Sequence, residues 1–155
     1  GLRPLELMRQ AHAIGPELLA AHATLVTPSE IQLLKDSGAA VSYNPVASSW
    51  KGNAVAPALH MASLGIRMGL GTDGTRSDGF RLMDAAETAQ RLVFGMPIGD
   101  FSMGAGWTWL AMATAGGAEA AGDEATPGVG CVTGPAAALI ASSPVAVLIP
   151  GPTPG

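Results

Sequence analysis

Asp73 and His22 are the residues whose type and placement could do hydrolytic chemistry in this chain. Asp73 ends the run Met68-Gly69-Leu70-Gly71-Thr72-Asp73, behind an apolar segment at residues 65–70 that reads as a short buried strand. In barrels and open α/β sheets, the C-terminal end of a strand is where ligands and metals bind. A carboxylate there can ligate a metal ion or act as a general base. Thr72-Asp73-Gly74 is equally good turn chemistry, so the tripeptide alone leaves an ordinary turn aspartate open. His22 tips a second apolar run, residues 17–25, and Asn44 tips a third, residues 39–45.

These side chains need elements to hold them. Each of the three strand patterns is followed by a helical pattern, and that alternation predicts β-α units around a parallel sheet. The helix after His22 is the best specified. Thr27-Pro28-Ser29-Glu30 is a capping box with proline at the first helical position. Ile31, Leu33 and Leu34 give that helix an apolar face, and Gly38 can close it. A second helix is expected over residues 57–64, ending at Gly65. A third is expected over residues 80–93, with Leu82, Ala86, Ala89 and Val93 on one side.

With these elements in place, the sequence resembles the metal-dependent amidohydrolase superfamily. Within it, the chain is similar to the branch of aminohydrolases and deaminases that act on nucleobases, triazines and related rings. Four patterns carry the resemblance. Ala21-His22-Ala23-Thr24-Leu25 with Glu30 is similar to the family's sixth-strand pattern. Val41-Ser42-Tyr43-Asn44-Pro45, then Gly52-Asn53 and Ala56-Pro57, is similar to its seventh-strand stretch. Leu70-Gly71-Thr72-Asp73-Gly74 with Ser77 is similar to its eighth-strand pattern. Trp109-Leu110-Ala111-Met112-Ala113-Thr114 through Gly116 and Ala118 is similar to a late helix.

The resemblance implies an α/β fold: the C-terminal part of a TIM-like (β/α)8 barrel, about strands 6–8 and their helices, over residues 1–122. A remnant of a small β-sandwich would follow over residues 123–155. It implies that Asp73 binds a divalent metal, zinc before iron or manganese, and shuttles a proton. His22 would contact the metal, its water or the substrate. Asn44, Arg76 and Ser77 are candidate substrate contacts. Asn44 would serve equally well as a cap before Pro45, and Ser77 as a helix cap. Arg76 or Lys51 would meet an anionic group on the substrate, or remain a solvated loop cation. The implied activity is hydrolysis of a non-peptide carbon–nitrogen bond, as in deamination of a cyclic amidine.

The metal site is not complete in this sequence. A barrel of this kind takes roughly 200 residues or more, and the chain has 155. The first-strand His-x-His pair and the fifth-strand histidine of the family are absent. Of the three histidines, His12 is expected on the first helix and His60 within the helix at 56–64. The expected remedy is an N-terminal half or a partner chain. The competing reading is a non-catalytic half-barrel or pseudoenzyme that binds a partner. A phosphate-binding reading of Gly69-x-Gly71-x-x-Gly74 is weaker, because the glycines begin inside the strand and Asp73 would repel phosphate.

Composition narrows the setting. The chain is 48% hydrophobic and 13% charged, with a formal net charge of −4. That balance gives no reason to expect nucleic acid. Its single cysteine, Cys131, cannot form an internal disulfide and fits a reducing compartment. There is no 18-residue apolar run suited to a membrane. A cytoplasmic homo-oligomer acting on a small molecule is the expectation. The region 125–155 carries no charged residue and half of the twelve prolines. Within it, residues 130–140 resemble the family's return to the sandwich, and residues 145–149 are a further candidate strand. Without partner strands this apolar tail would be an aggregation hazard. Trp107 and Trp109 are expected to pack in the core.

Overall fold

Short apolar runs interrupted by capped helices give this chain a parallel sheet with its helices laid against it. The computed structural model describes residues 1–74 and 77–122, with the backbone of 147–148. Strands β1 (Leu18–Ala21), β2 (Ala40–Tyr43) and β3 (Arg67–Leu70) are parallel. Leu19 stands opposite Ala40, and Val41 opposite Met68. The sheet order is β3-β2-β1-β4, where β4 (Val147–Leu148) runs antiparallel to β1. Within the candidate strand at 145–149, residues 147–148 form β4 and pair with β1. The candidate sandwich segment at 130–140 lies outside the described residues.

Helix α1 (Pro4–Gln10) precedes the sheet and α2 (Pro28–Ser37) follows β1. The capping box of α2 forms as its sequence specifies. The Thr27 hydroxyl accepts from the Glu30 amide, and Glu30 accepts in return from the Thr27 amide at 2.8 Å. Arg3 donates its Nε–H to the same Glu30 oxygen at 2.9 Å. Burial works upward on the Glu30 carboxyl, but the Thr27 amide and Arg3 hold it below its ordinary value. Gly38 closes α2 in the left-handed region, at φ 72°, where a side chain would be strained.

After β2 the chain makes α3 (Pro45–Trp50) and α4 (Ala58–Ser63). After β3 it makes α5 (Gly79–Gln90), then a π turn at Arg91–Gly95 and a 3-10 turn at Met96–Ile98. The buried face of α5 is Leu82, Ala86 and Gln90, at i, i+4 and i+8. The expected stripe stops short of Val93, which is exposed, because the π turn shifts the phase of the helix there. The late helix is two pieces, α6 (Gly106–Ala113) and α7 (Ala115–Ala120), broken at Thr114. Trp109 is buried and donates its indole N–H to the Gly104 carbonyl at 2.8 Å. Trp107, expected in the core, is 81% exposed on the opposite side of α6.

The larger core cluster lies on one face of the sheet, and a smaller one of Leu19, Ala40 and Ala120 lies apart from it. Val41, Tyr43, Met68 and Leu70 of the sheet pack with Leu34, Met61, Leu82, Ala86, Trp109 and Met112 of the helices. Tyr43 and Trp109 stack obliquely, 6.2 Å between centroids. Tyr43 is buried enough to push its phenol up to about 12. Its hydroxyl accepts from Gln90 Nε2, which also donates to the Ala56 carbonyl at 2.7 Å. This buried amide ties α5 to β2 and to the start of α4. Helix α7 lies closer to the sheet than a side chain allows. A Cβ at Gly116 would fall 2.7 Å from the Met68 carbonyl oxygen.

Candidate functional site

The backbone at the C-terminal ends of the strands brings the polar tips together. The His22 amide donates to the Ser42 carbonyl and the Gly71 amide to the Tyr43 carbonyl, both at 2.9 Å. The ladder thus continues one residue past β1 and β3 before each chain turns. Both turns are strained. His22 has φ 67°, Ala23 φ 46° and Asp73 φ 53°. For residues other than glycine such backbone costs about 1–3 kcal/mol each and concentrates at functional sites.

The strain aims His22 and Asp73 at each other. His22 Nε2 lies 3.2 Å from Asp73 Oδ2. The other ring nitrogen, Nδ1, is 3.0 Å from the Ser48 hydroxyl, and Ser48 is buried in α3. Lys51, the residue capping the C-terminus of α3, donates to the same Asp73 oxygen at 2.6 Å. Asp73 Oδ1 accepts from the Gly74 amide at 2.6 Å. The Asp73 side chain is 1% exposed and that of Lys51 43%.

The electrostatics follow from this packing. Burial works upward on the Asp73 carboxyl, but Lys51, the Gly74 amide and the nearby His22 together hold it below the ordinary carboxylate value. Burial is also the largest influence on His22 and pushes the imidazole below its ordinary value; Lys51 adds to this and Asp73 opposes it. The site is a buried, ionised carboxylate between a neutral imidazole and an ammonium. It can accept a proton from a small molecule and return it.

The other candidates fall differently. Asn44 is fully buried and its side chain is spent on Ser42, with a 2.7 Å contact to the Ser42 hydroxyl. It caps α3 by position but not through its side chain. Ser77 is exposed, and the cap of α5 is Asp78, whose carboxylate accepts from the Phe80 and Arg81 amides. Arg76 lies outside the described residues. Lys51, expected to face a substrate anion or solvent, is paired with Asp73 instead. Lys51, expected in a loop, caps α3, and Trp50 is the last residue of that helix. His12 is not on α1 but in the turn beyond it, at φ 53°. His60 is within α4 as expected.

Ser48, which holds the His22 ring, carried little signal in the sequence. Its signal is its spacing, four residues after Asn44, which puts it on the buried side of a one-and-a-half-turn helix starting at Pro45.

His22 and Asp73 converge as metal donors would, but they are two. A zinc site takes three or more protein ligands. Among the described residues no group of three His, Cys, Asp or Glu side chains is placed to hold a metal ion. The described part of this chain does not by itself fit a metal centre. Among the described residues no helix is long and apolar enough to cross a membrane.

Comparison with known proteins gives this geometry its context. Residues 2–129 match the family model described as "Amidohydrolase family". A 5-methylthioadenosine/S-adenosylhomocysteine deaminase of Desulforudis audaxviator is 32% identical over 125 residues, 80% of this chain and 29% of that protein. A 5'-deoxyadenosine deaminase of Methanothermobacter thermautotrophicus is 30% identical over 129 residues, 81% of this chain and 29% of that protein. Among solved structures, an adenosine deaminase from Xanthomonas campestris with bound zinc superposes with a TM-score of 0.73 at 27% identity. That match covers 83% of this chain and 29% of the solved one. The chain therefore spans about three-tenths of the length of the relatives it matches.

Proposed function

The chain belongs to the amidohydrolase family, and from that premise we propose that it supplies strands 6–8 of a (β/α)8 barrel that deaminates an adenosine-like ring. The observation that carries this reading is the approach of His22 Nε2 to within 3.2 Å of Asp73 Oδ2 at the C-terminal end of a parallel sheet. The deaminase names of the 30–32% identical relatives support an adenosine-like substrate class.

In the proposed reaction, water adds to the ring carbon that bears the amino group. Ammonia then leaves, and the carbon keeps the oxygen. Asp73 takes a proton from the attacking water and delivers it to the departing amine. Its depressed pKa keeps it ionised, the form that can accept a proton. His22 stays neutral, with Nδ1 anchored on Ser48, and presents Nε2 to the water or to the ring. The remaining strands of the barrel, from an N-terminal segment or a partner chain, would complete the cleft. The implied cofactor is a divalent metal ion, zinc before iron or manganese, and its other donors would lie in those strands. The proposed setting is the cytoplasm.

The test is ammonia release from 5'-methylthioadenosine, S-adenosylhomocysteine and adenosine by the protein as purified, with any chain that accompanies it. Turnover that falls about 10²–10⁴-fold in Asp73→Asn supports the reading. Turnover unchanged in that variant sinks it. A second reading, a non-catalytic binding module, is favoured by the two-donor set and by the lysine already seated on Asp73. It is the conclusion if none of these substrates is turned over.

A further inference from the structure

We propose that the apolar surface formed by Leu92, Val93, Met96, Ile98, Phe101 and Trp107 pairs with the same surface of a second copy of this chain. The inference goes beyond the deaminase reading and does not depend on it. All six side chains are exposed. They come from the π turn at Arg91–Gly95, the 3-10 turn at Met96–Ile98, the loop after it and the start of α6. Hydrogen bonds gather these segments into one knot of chain. The Gly99 amide donates to the Met96 carbonyl at 3.2 Å and the Asp100 amide to the Gly95 carbonyl at 3.0 Å. The Arg91 guanidinium donates to the Phe101 carbonyl at 2.9 Å. The Trp109 indole, on the buried side of α6, donates to the Gly104 carbonyl at 2.8 Å and ties that helix to the same loop.

The area on offer is that of a dimer interface. A large aromatic side chain carries about 150–250 Å²; with Phe101 84% and Trp107 81% exposed, the two offer roughly 300 Å². An aliphatic side chain carries about 60–120 Å²; Leu92, Val93, Met96 and Ile98, between 45% and 73% exposed, add roughly 200 Å². A stable pair buries about 800 Å² on each side, and between identical partners about 65% of it is apolar, or about 520 Å². The patch supplies that apolar share almost alone.

The chemistry of the patch selects a copy of itself. Across residues 92–110 the one charged residue is Asp100. Its carboxylate accepts from the Ser102 amide at 2.9 Å and from the Ser102 hydroxyl at 2.7 Å. That run holds no lysine, arginine or histidine to meet the anionic headgroups of a membrane. Nor does it hold the charge pattern by which unlike proteins choose each other. Two such surfaces meeting about a two-fold axis oppose no rows of like charge, and apolar side chains are complementary to themselves. Large aromatics anchor interfaces, so Trp107 and Phe101 are the side chains expected to carry most of the pairing.

The test is sedimentation equilibrium of the protein as purified, with any chain that accompanies it, over a concentration series reaching about 100 μM. The wild type is expected to hold two copies of this chain per particle. Trp107→Glu and Ile98→Glu are each expected to weaken the pairing at least about tenfold, with circular dichroism unchanged because both side chains are exposed. Leu7→Glu, at an exposed apolar residue of α1 outside the patch, should pair like the wild type. One copy per particle at the highest concentration overturns the proposal and leaves the patch to a different chain or to a membrane. Two copies held equally tightly in Trp107→Glu and Ile98→Glu also overturn it, as does a Leu7→Glu effect as large as theirs. If either patch variant loses its fold, Phe101→Ser takes its place under the same expectation. The readout needs no turnover, so failure here and failure of the deaminase reading are told apart.

Discussion

Gly71→Ala is the substitution whose effect can be worked out most directly. Gly71 follows β3 and its amide completes the ladder to Tyr43. A Cβ added there falls 2.4 Å from Asn44 Oδ1 and 2.4 Å from Ser42 Oγ, against 3.4 Å for ordinary contact. Each polar atom would have to retreat by about 1.0 Å. Neither has anywhere to go: Asn44 is fully buried and Ser42 nearly so. Their mutual 2.7 Å contact would be pried open as well. Overpacking of this kind costs about 1–3 kcal/mol, and stranding a buried hydrogen-bonding group a further ~1–3 kcal/mol. The expected loss is about 2–6 kcal/mol, or roughly 6–18 °C in Tm at about 3 °C per kcal/mol. Urea unfolding gives the number. A Gly71→Ala protein within ~0.5 kcal/mol of wild type, with an unchanged denaturant slope, refutes the argument. The combination with Asn44→Ala removes one of the two clashing atoms. It should therefore cost less than the sum of the single changes, by about 0.5–3 kcal/mol.

Two further predictions concern the site and its support. Ser48→Ala leaves the buried Nδ1 of His22 without its partner at 3.0 Å; the expected cost is about 1–3 kcal/mol and a change in the imidazole tautomer balance. Nitrogen chemical shifts of His22 that match the wild type would show that Ser48 does not hold the ring. Glu30 gives the pH dependence. Its carboxyl is held below 4.5 in the folded chain, so its contribution is fully present above that value and is lost as pH falls through the folded pKa. Glu30→Gln should lower stability at neutral pH and flatten the acid limb of the stability curve below about 4.5. Curves for the two proteins that run parallel through that range would remove Glu30 as the cause.

The strands and the first helices were legible because their signals are local. An apolar run of four to six residues between polar turns, or Thr-Pro-Ser-Glu before an apolar face, specifies β1, β2, β3 and α2 without reference to the rest of the chain. The errors came where tertiary contacts decide. Val93 has the right phase for the α5 face, but the π turn at Arg91–Gly95 turns it outward. Trp107 and Trp109 look alike in sequence, two residues apart. On a helix that spacing points them about 200° apart, and only Trp109 reaches Tyr43. At the site, His22 and Asp73 could be named from their places at strand ends. Lys51 could not be paired with Asp73, because a lysine beyond an unrecognised helix has no fixed direction. Asn44 had two roles open in the sequence, a ligand contact or a cap before Pro45, and the structure adds a contact the sequence did not suggest, with the Ser42 hydroxyl.

The two ends of the sheet divide stability from chemistry. At the N-terminal end, Arg67 begins β3, and its guanidinium donates to the carbonyls of Pro16, Gly38 and Glu119 at 2.6, 2.7 and 3.2 Å. One side chain thus closes the loop before β1, the end of α2 and the end of α7. Behind it, Gly69 and Gly116 let α7 approach the strand closely. The loop leading into β1 holds one left-handed residue other than glycine, His12 at φ 53°. The C-terminal end carries the left-handed His22, Ala23 and Asp73 and a buried carboxylate. These features cost free energy that the packing below must offset. It follows that conservative changes at His22 or Asp73 should be tolerated by the fold, and relaxation of either left-handed residue would even favour it. Changes at Arg67 or Gly116 should damage the fold without touching the site. A His22→Gly variant that is no less stable than the wild type but loses the proposed ammonia release would show that the strain is maintained for chemistry. A large loss of stability in that variant would mean that His22 holds the fold together, and the division between the two ends would fail.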